Sequence, residues 1–394
     1  MKLIDHLKNM TLKRAVREVR SAFRFAFLLL PASLDYRKKE DIWLISERPD
    51  QARDNGYCFF RFLREQHPEV QAYYLIDKKA DDYKKIESLG NVIQFGSWGH
   101  YYFFLLSQKH ISAHVGGCNP AYSMVLRYLK SKIGYKDIFI PHGVSYGIAE
   151  FCLKKYAGID LFICSGKQEY DNVLNNYGYT KNEVAYTGFP RLDSWHDVIV
   201  NNKQILIMPT WRSYLAHDKK TNIRETLYFK TYQSLLNSEK LISFLEEKDL
   251  ELIFYLHSEM RKYIDSFYSC SNHILIAYKD NQYDIQKLLK SSALLITDYS
   301  SVHFDFAYMG KPVIYYQFDQ QLFDELQYPH SIYQAERDGF GPVVYDEDSV
   351  ENAIEEAFSR NFIMEDKYYK RMRIFYELYD NHNCDRVYNK IRQL

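Results

Sequence analysis

From Pro31 onward the chain alternates short apolar runs with amphipathic segments. The runs predict strands over Asp41 to Ser46, Ala72 to Ile76, Val92 to Phe95, His110 to His114, Asp137 to Pro141, Leu161 to Cys164 and Val184 to Thr187. Helical periodicity lies between several of them, over Tyr101 to Gln108, Ala121 to Ser131 and Gln168 to Tyr177. Short apolar strands alternating with helices imply a parallel sheet covered on both faces. A second series starts near Lys203, with strands over Gln204 to Met208, Leu250 to Leu256, Ile274 to Ala277, Leu294 to Thr297 and Val313 to Tyr316. Its helices are expected over Phe229 to Lys248, Ile285 to Lys290 and Ser301 to Met309, followed by Ser349 to Arg360 and Glu365 to Tyr379. The polar segment Ser194 to Lys203 reads as the linker. The pattern therefore predicts two α/β domains with a cleft between them.

The first 30 residues follow a different rule. Lys2, Lys8, Lys13, Arg14, Arg17, Arg20 and Arg24 against Asp5 and Glu18 leave an excess of five positive charges. Leu12, Val16, Val19, Phe23 and Phe27 recur at helical spacing among them, so one helix carries an apolar stripe beside a basic face. That pattern fits a helix docked on the protein's own core and equally a helix lying on an anionic membrane surface. The uncharged stretch Phe25 to Leu34 is far shorter than the roughly 20 residues needed to span a bilayer. No small-residue cleavage signal follows it.

Composition narrows the class. The 394 residues are 46% hydrophobic, enough for large cores and against a disordered chain. Basic and acidic side chains balance at 51 each, which argues against a nucleic-acid-binding surface over the whole protein. Cysteines at 58, 118, 152, 164, 270 and 384 form no short-spaced cluster, so neither a disulfide scaffold nor a zinc knuckle is predicted. Neither GxGxxG nor GxxxxGK[ST] occurs, which removes the motif-based case for a dinucleotide dehydrogenase or a P-loop ATPase.

Polar groups instead gather directly after apolar strands, where open α/β sheets place their ligands. His142, between Pro141 and Gly143, suits a general base or a buried structural histidine. His257, after Leu256, suits a hydrogen-bond donor to phosphate or, again, a structural group. Ser300 or Ser301 would cap the following helix, whose free N–H groups together with the hydroxyls suit a diphosphate; Asp298 beside them would repel that anion unless turned elsewhere. Arg212, after Thr210 and Trp211, offers a guanidinium fork for phosphate or for a salt bridge. His110 and His114 would fall on one face of an extended strand about 13 Å apart, too far for one metal ion. Gly116-Gly117 is a weak loop signal.

Taken in order, Pro141-His142-Gly143, Pro209-Thr210-Trp211-Arg212, Leu256-His257-Ser258 and Asp298-Tyr299-Ser300-Ser301 through Ala307, then Lys311-Pro312-Val313-Ile314-Tyr315-Tyr316, resemble the CDP-glycerol glycerophosphotransferase family of teichoic-acid and capsule synthesis. The resemblance covers roughly residues 110 to 380. It implies a GT-B-like α/β fold: a basic amphipathic segment (1–34), an acceptor-side Rossmann-like domain (35–198), a CDP-donor domain (199–365), and C-terminal helices returning to the first domain (366–394). It also implies a CDP-polyol donor such as CDP-glycerol, a glycan or lipid-linked acceptor, no other cofactor, no metal site, no nucleic acid, and peripheral placement at the cytoplasmic face of the bacterial membrane through residues 1–30. By position, His142 matches the family's catalytic base. His257, Ser300 and Ser301 match donor-phosphate positions, Thr210 and Arg212 the neighbouring cleft motif, and Asp298 and Gly143 supporting places. The chain departs from the family after the histidine-glycine pair, where threonine, proline and leucine give way to Val144-Ser145-Tyr146-Gly147. A nucleotide-sugar glycosyltransferase and a noncatalytic assembly or membrane scaffold are the alternative readings.

Overall fold

A computed structural model describes residues 12–36, 41–120, 130, 133–145, 147–216, 221–277, 283–327 and 333–394. Two parallel sheets organise them. The first, in the order β3-β2-β1-β4-β5-β6-β7, is built from β1 (Ile42–Ser46), β2 (Gln71–Ile76), β3 (Val92–Gln94), β4 (Lys109–Ser112), β5 (Lys136–Phe139), β6 (Leu161–Cys164) and β7 (Val184–Tyr186). The second, in the order β10-β9-β8-β11-β12-β13, contains β8 (Asn201–Ile207), β9 (Glu251–Phe254), β10 (Ile274–Ile276), β11 (Ser292–Thr297), β12 (Val313–Tyr316) and β13 (Val343–Val344). All residues of β1, β11 and β12 are buried, which is why these strands read as unbroken apolar runs and not as alternating ones.

The two strand orders share one consequence. In each sheet the chain moves outward from its first strand, then resumes on that strand's other side, so direction reverses between β1 and β4 and again between β8 and β11. Crevices open at the carboxyl ends of the strands at such switch points.

Several boundaries differ from the sequence expectation. The strand expected to reach His114 stops at Ser112, so His114 stands in the loop beyond the sheet while His110 is buried inside it. The single helix expected over Phe229 to Lys248 is two, Leu227–Leu235 and Glu239–Lys248, because Ser238 accepts from the N–H of Leu241 and starts a new helix. Helix Asn55–Gln66, capped by the Asp54 carboxylate, and helix Asn383–Arg392 were not anticipated. The helix expected over Ala121 to Ser131 lies outside the described residues, apart from Lys130.

Helix Leu12–Tyr36 runs through Pro31. One face packs on helix Trp98–Leu106, where the Phe25 ring lies 4.8 Å from Tyr101 and 5.8 Å from Phe104 and Arg24 Nη1 donates to the Gly96 carbonyl at 2.7 Å. Val16, Val19, Phe23, Phe27, Leu30 and Leu34 stay exposed, although Phe23 and Phe27 also meet Trp98 edge-on at 6.4 and 5.7 Å. The helix is thus docked on the protein and still presents an apolar stripe. Among the described residues no helix is long and apolar enough to cross a membrane.

The two sheets meet around Arg191, which is 2% exposed. Its Nη1 donates to Asp54 at 2.9 Å on the first-domain side, and its Nη2 donates to Asp305 at 2.8 Å on helix Val302–Tyr308 of the second. Burial opposes its charge, but Asp305 and Asp54 outweigh that effect and raise its pKa. The C-terminal helices Asp366–Phe375 and Asn383–Arg392 add a second connection. Phe375 packs on Phe304 at 4.9 Å, Tyr388 stacks on His67 at 3.8 Å, and the N–H groups of Asn383 and Cys384 donate to Asp193 at 2.8 Å. Arg191→Met is expected to destabilise the protein by about 3 kcal/mol, because it leaves the buried Asp305 and the partly exposed Asp54 without their cation. Urea denaturation measures this, and a loss below about 1 kcal/mol would show that the clamp is not a major support.

Candidate functional site

The carboxyl ends of the two sheets face each other, and the residues at those ends build the site. Parallel register pairs Ser46 with Ser112 and Ser112 with Phe139. Two residues beyond the strand ends come Arg48 after β1, His114 after β4 and Pro141, followed by His142, after β5.

His142 is exposed to the cleft. Its Nδ1 lies 3.4 Å from the Ala113 carbonyl, a long contact that favours the proton on Nδ1 and leaves the Nε2 lone pair for the cleft. The His114 ring stands edge-on to it, 4.9 Å between centroids. Burial, followed by the charges of His142 and Arg48, lowers His114 to about 4, so it is neutral at neutral pH. The Pro141 carbonyl accepts from Asn55 Nδ2 at 2.7 Å, and Asn55 Oδ1 accepts from the Arg191 N–H at 3.2 Å. The chain just before His142 is therefore pinned to the interdomain clamp.

Gly143 brings the two walls together. A Cβ built on it would sit 2.8 Å from Ser301 Oγ, so the loop after His142 and the turn after β11 are in direct contact. Ser145 N–H donates to Glu169 at 2.6 Å, and the Ser165 N–H donates to the other carboxylate oxygen at 2.7 Å. Burial pushes Glu169 up to about 7, partly offset by these backbone donors. Gly117 shows a different use of glycine: a Cβ there would fall 1.9 Å from Ser112 Oγ and 3.0 Å from Ser46 Oγ, so the loop needs glycine to cross the strand ends.

On the opposite wall the structure corrects one sequence expectation and settles a question left open there. Arg212 does not face an anion in the cleft: its side chain is completely buried. Its Nε and Nη2 donate to Asp319, at 2.8 and 2.9 Å, Nη2 also to Asp298 at 2.8 Å, and Nη1 to the Thr210 carbonyl at 2.9 Å. Burial disfavours its charge, but Asp298 and Asp319 prevail and raise its pKa. Asp298 is turned inward by the same network, where it also accepts from the N–H groups of Thr210 and Tyr299 at 2.8 and 2.6 Å. The carboxylate thus ties the β8 and β11 turns together and is kept off the cleft.

Ser301 precedes helix Val302–Tyr308, but its hydroxyl makes no capping bond, contrary to expectation. Thr210 Oγ1 is buried and has no hydrogen-bond partner among the described residues. His257 Nδ1 accepts from the Glu259 N–H at 3.2 Å, and its ring stacks on Trp211 with centroids 6.1 Å apart. Burial lowers its pKa, and Arg48, Arg261 and His142 lower it further against Glu259. With Nδ1 accepting, a neutral His257 carries its proton on Nε2 and acts as a donor. Arg48, His114, Asn55, Arg191 and Glu169 are the site residues missed in the sequence reading. Among the described residues no group of three or more His, Cys, Asp or Glu side chains could hold a metal ion.

Two Rossmann-like parallel sheets with facing switch points define a GT-B-like α/β protein. The chain belongs to the CDP-glycerol:poly(glycerophosphate) glycerophosphotransferase family, which it matches over residues 28–393. It is 34% identical over 369 residues to the minor teichoic acid biosynthesis protein GgaB of Bacillus subtilis (strain 168), covering 90% of this chain and 40% of that protein. It is 26% identical over 264 residues to the teichoic acid glycerol-phosphate primase of the same organism, covering 64% of this chain and 61% of the primase. The chain thus spans less than two thirds of either relative. The solved structure of the wall teichoic acid polymerase TagF superposes with a TM-score of 0.67 at 15% identity, covering 99% of this chain and 97% of that one. A histidine-to-asparagine variant of TagF soaked with CDPG matches with the same score.

Glu169 makes stability depend on pH in a defined direction. Its folded pKa lies above its unfolded value of 4.5, so the native state binds the proton more tightly and stability falls as pH rises from 4.5 to about 7. Glu169→Gln carries a pH-independent cost, since one amide group must face a backbone donor. The stability difference between variant and parent should nevertheless move in the variant's favour by about 2 kcal/mol between pH 5 and pH 8. Chemical denaturation at the two pH values reads the change, and an unchanged difference would refute the raised carboxyl.

Proposed function

We propose that this protein transfers glycerol phosphate, or a related polyol phosphate, from a CDP-activated donor to a hydroxyl of a cell-wall or capsular glycan or lipid-linked acceptor and releases CMP. One observation carries the reading: the loop bearing His142 touches the Ser301 turn through Gly143, so a base and a phosphate-binding turn share one gap. Family membership, the teichoic-acid relatives and the CDPG soak of TagF supply the chemical class.

The acceptor hydroxyl approaches from the first domain, and His142 Nε2 removes its proton. The oxygen attacks the β-phosphorus, forming the new P–O bond as the bond to the CMP phosphate oxygen breaks. Catalysis of phosphoryl transfer rests on positioning and charge stabilisation. His257 Nε2–H, the Ser300 and Ser301 hydroxyls and Thr210 Oγ1 are the donors assigned to the diphosphate. Arg212 and Asp298 act one layer deeper, by holding the β8 and β11 turns in register. The domain limits that fit this division of labour are 35–198 for the acceptor side and 199–365 for the donor side.

The exposed stripe Val16, Val19, Phe23, Phe27, Leu30 and Leu34, with Arg17 and Arg20 on the same helix, supports peripheral attachment to an anionic bilayer at the cytoplasmic face.

His142→Ala should lower kcat by about 10² to 10⁴ while the affinity for CDP-glycerol stays within a few fold. Near-normal transfer would remove His142 as the base, and sugar incorporation with nucleoside diphosphate release would replace the proposed reaction with glycosyl transfer. Thr210→Val should leave thermal stability unchanged, since the hydroxyl has no partner to lose, yet weaken CDP-glycerol binding about fivefold by calorimetry. Unchanged affinity would remove Thr210 from the donor site.

A further inference from the structure

Arg48 is the second residue beyond β1, the strand that borders the switch point of the first sheet. His114 holds the corresponding place after β4, and Pro141 and His142 follow β5. Adjacent strands lie about 4.8 Å apart, so the ends of β1 and β5, with β4 between them, stand about 10 Å from each other. The preceding residue, Glu47, is buried and accepts from the N–H groups of Arg53, Asp54 and Tyr57 at 3.0, 2.9 and 2.7 Å, whereas Arg48 is exposed. The turn is fixed by two backbone bonds, Gln51 N–H to the Arg48 carbonyl at 3.0 Å and Asp77 N–H to the Pro49 carbonyl at 2.6 Å.

The neighbouring arginines are already neutralised. Arg53 pairs with Asp82, Arg191 with Asp54 and Asp305, and Arg212 with Asp298 and Asp319. Arg48 has no ion-pair or hydrogen-bond partner for its guanidinium among the described residues. Its charge lowers the pKa of His114 on one wall and of His257 on the other. The chain has held a permanent cation, with five N–H donors in a fixed fork, at a ligand-binding crevice without a protein anion to face it.

We infer that Arg48 binds a phosphate carried by the acceptor, at about one polyol phosphate unit from the hydroxyl that His142 activates. The inference rests on the proposed transferase reading for the identity of the acceptor. Its place on the first domain, just beyond the strand that borders the switch point, assigns it to the acceptor and not to the donor diphosphate. The phosphate is supplied either by a preceding polyol phosphate or by the lipid linkage of the acceptor.

The test compares the parent, Arg48→Gln and Arg48→Lys with three acceptors: a soluble glycerol phosphate oligomer, a phosphate-free compound bearing the same terminal hydroxyl, and a lipid-diphosphate-linked sugar with a phosphate-free end. Arg48→Gln should raise KM for one or both phosphate-bearing acceptors at least tenfold, with KM for CDP-glycerol within twofold and no change for the phosphate-free acceptor. Arg48→Lys should recover part of the loss. An effect on the oligomer alone identifies the preceding unit as the source, and an effect on the lipid-linked sugar alone identifies the linkage. An increase confined to the donor KM, an equal effect on the phosphate-free acceptor, or no effect overturns the inference. Calorimetry of oligomer and lipid-linked sugar binding without donor keeps the two readings apart: absence of transfer from any CDP-polyol sinks the transferase reading. Equal binding of both phosphate-bearing acceptors by parent and Arg48→Gln sinks the role of Arg48.

Discussion

A guanidinium without access to water sets the geometry on which the cleft depends. Arg191 draws a carboxylate from each domain onto itself, and such a charge is tolerated in the interior only while both partners stay in place. From there the constraint passes outward in both directions. Asn55 bonds to the Arg191 N–H and to the carbonyl preceding His142, while Asp305 lies on the same short helix that Ser301 opens. His142 and the turn opposite it are thus two ends of one bonded path, and the contact at Gly143 closes it. Separating them requires breaking charge-assisted bonds in a buried site.

The same economy of charge shapes the cleft itself. Acidic groups near an anion-binding site are a liability, and here they are turned away from it. Asp298 and Asp319 neutralise Arg212, Asp54 and Asp305 neutralise Arg191, and Glu47 and Glu169 accept backbone N–H groups that hold the helix start and the loop beside His142. The surface facing the gap is left to hydroxyls, imidazoles and Arg48. For the proposed reaction, neutral donors suit a diphosphate that must be positioned and then cleaved with release of CMP.

Much of this was legible in the sequence because strands buried on both faces leave unbroken apolar runs, and because chemistry in such sheets collects at the carboxyl ends. The runs ending at Ser46, Ile76, Cys164 and Tyr316 end where their strands end. Side-chain direction was not legible. Arg212 looked like a phosphate ligand because nothing in Pro209-Thr210-Trp211-Arg212 reveals that Asp298 and Asp319, more than 80 residues away, converge on it. Arg48 was missed for the opposite reason: a single arginine after a strand carries no local pattern, and its isolation is visible only when the partners of its neighbours are known. His114 was read as part of a strand, and only the end of β4 at Ser112 brings its ring to His142.

The contrast between Arg48 and the other arginines also bears on how a two-domain transferase distinguishes its substrates. A donor diphosphate carries the same charge whichever polyol it activates, so contacts to it select the reaction class. Selection among acceptors must come from groups on the other wall, and there the loop after His142 departs from the family pattern while Asn55 and Glu169 keep its backbone fixed. On the proposed reading, a fixed loop beside an unpartnered cation reads the acceptor by where its charge lies relative to its hydroxyl. Exchange of residues around Arg48 would then change which acceptor is extended, and exchange of residues along the β8 and β11 turns would change whether anything is transferred.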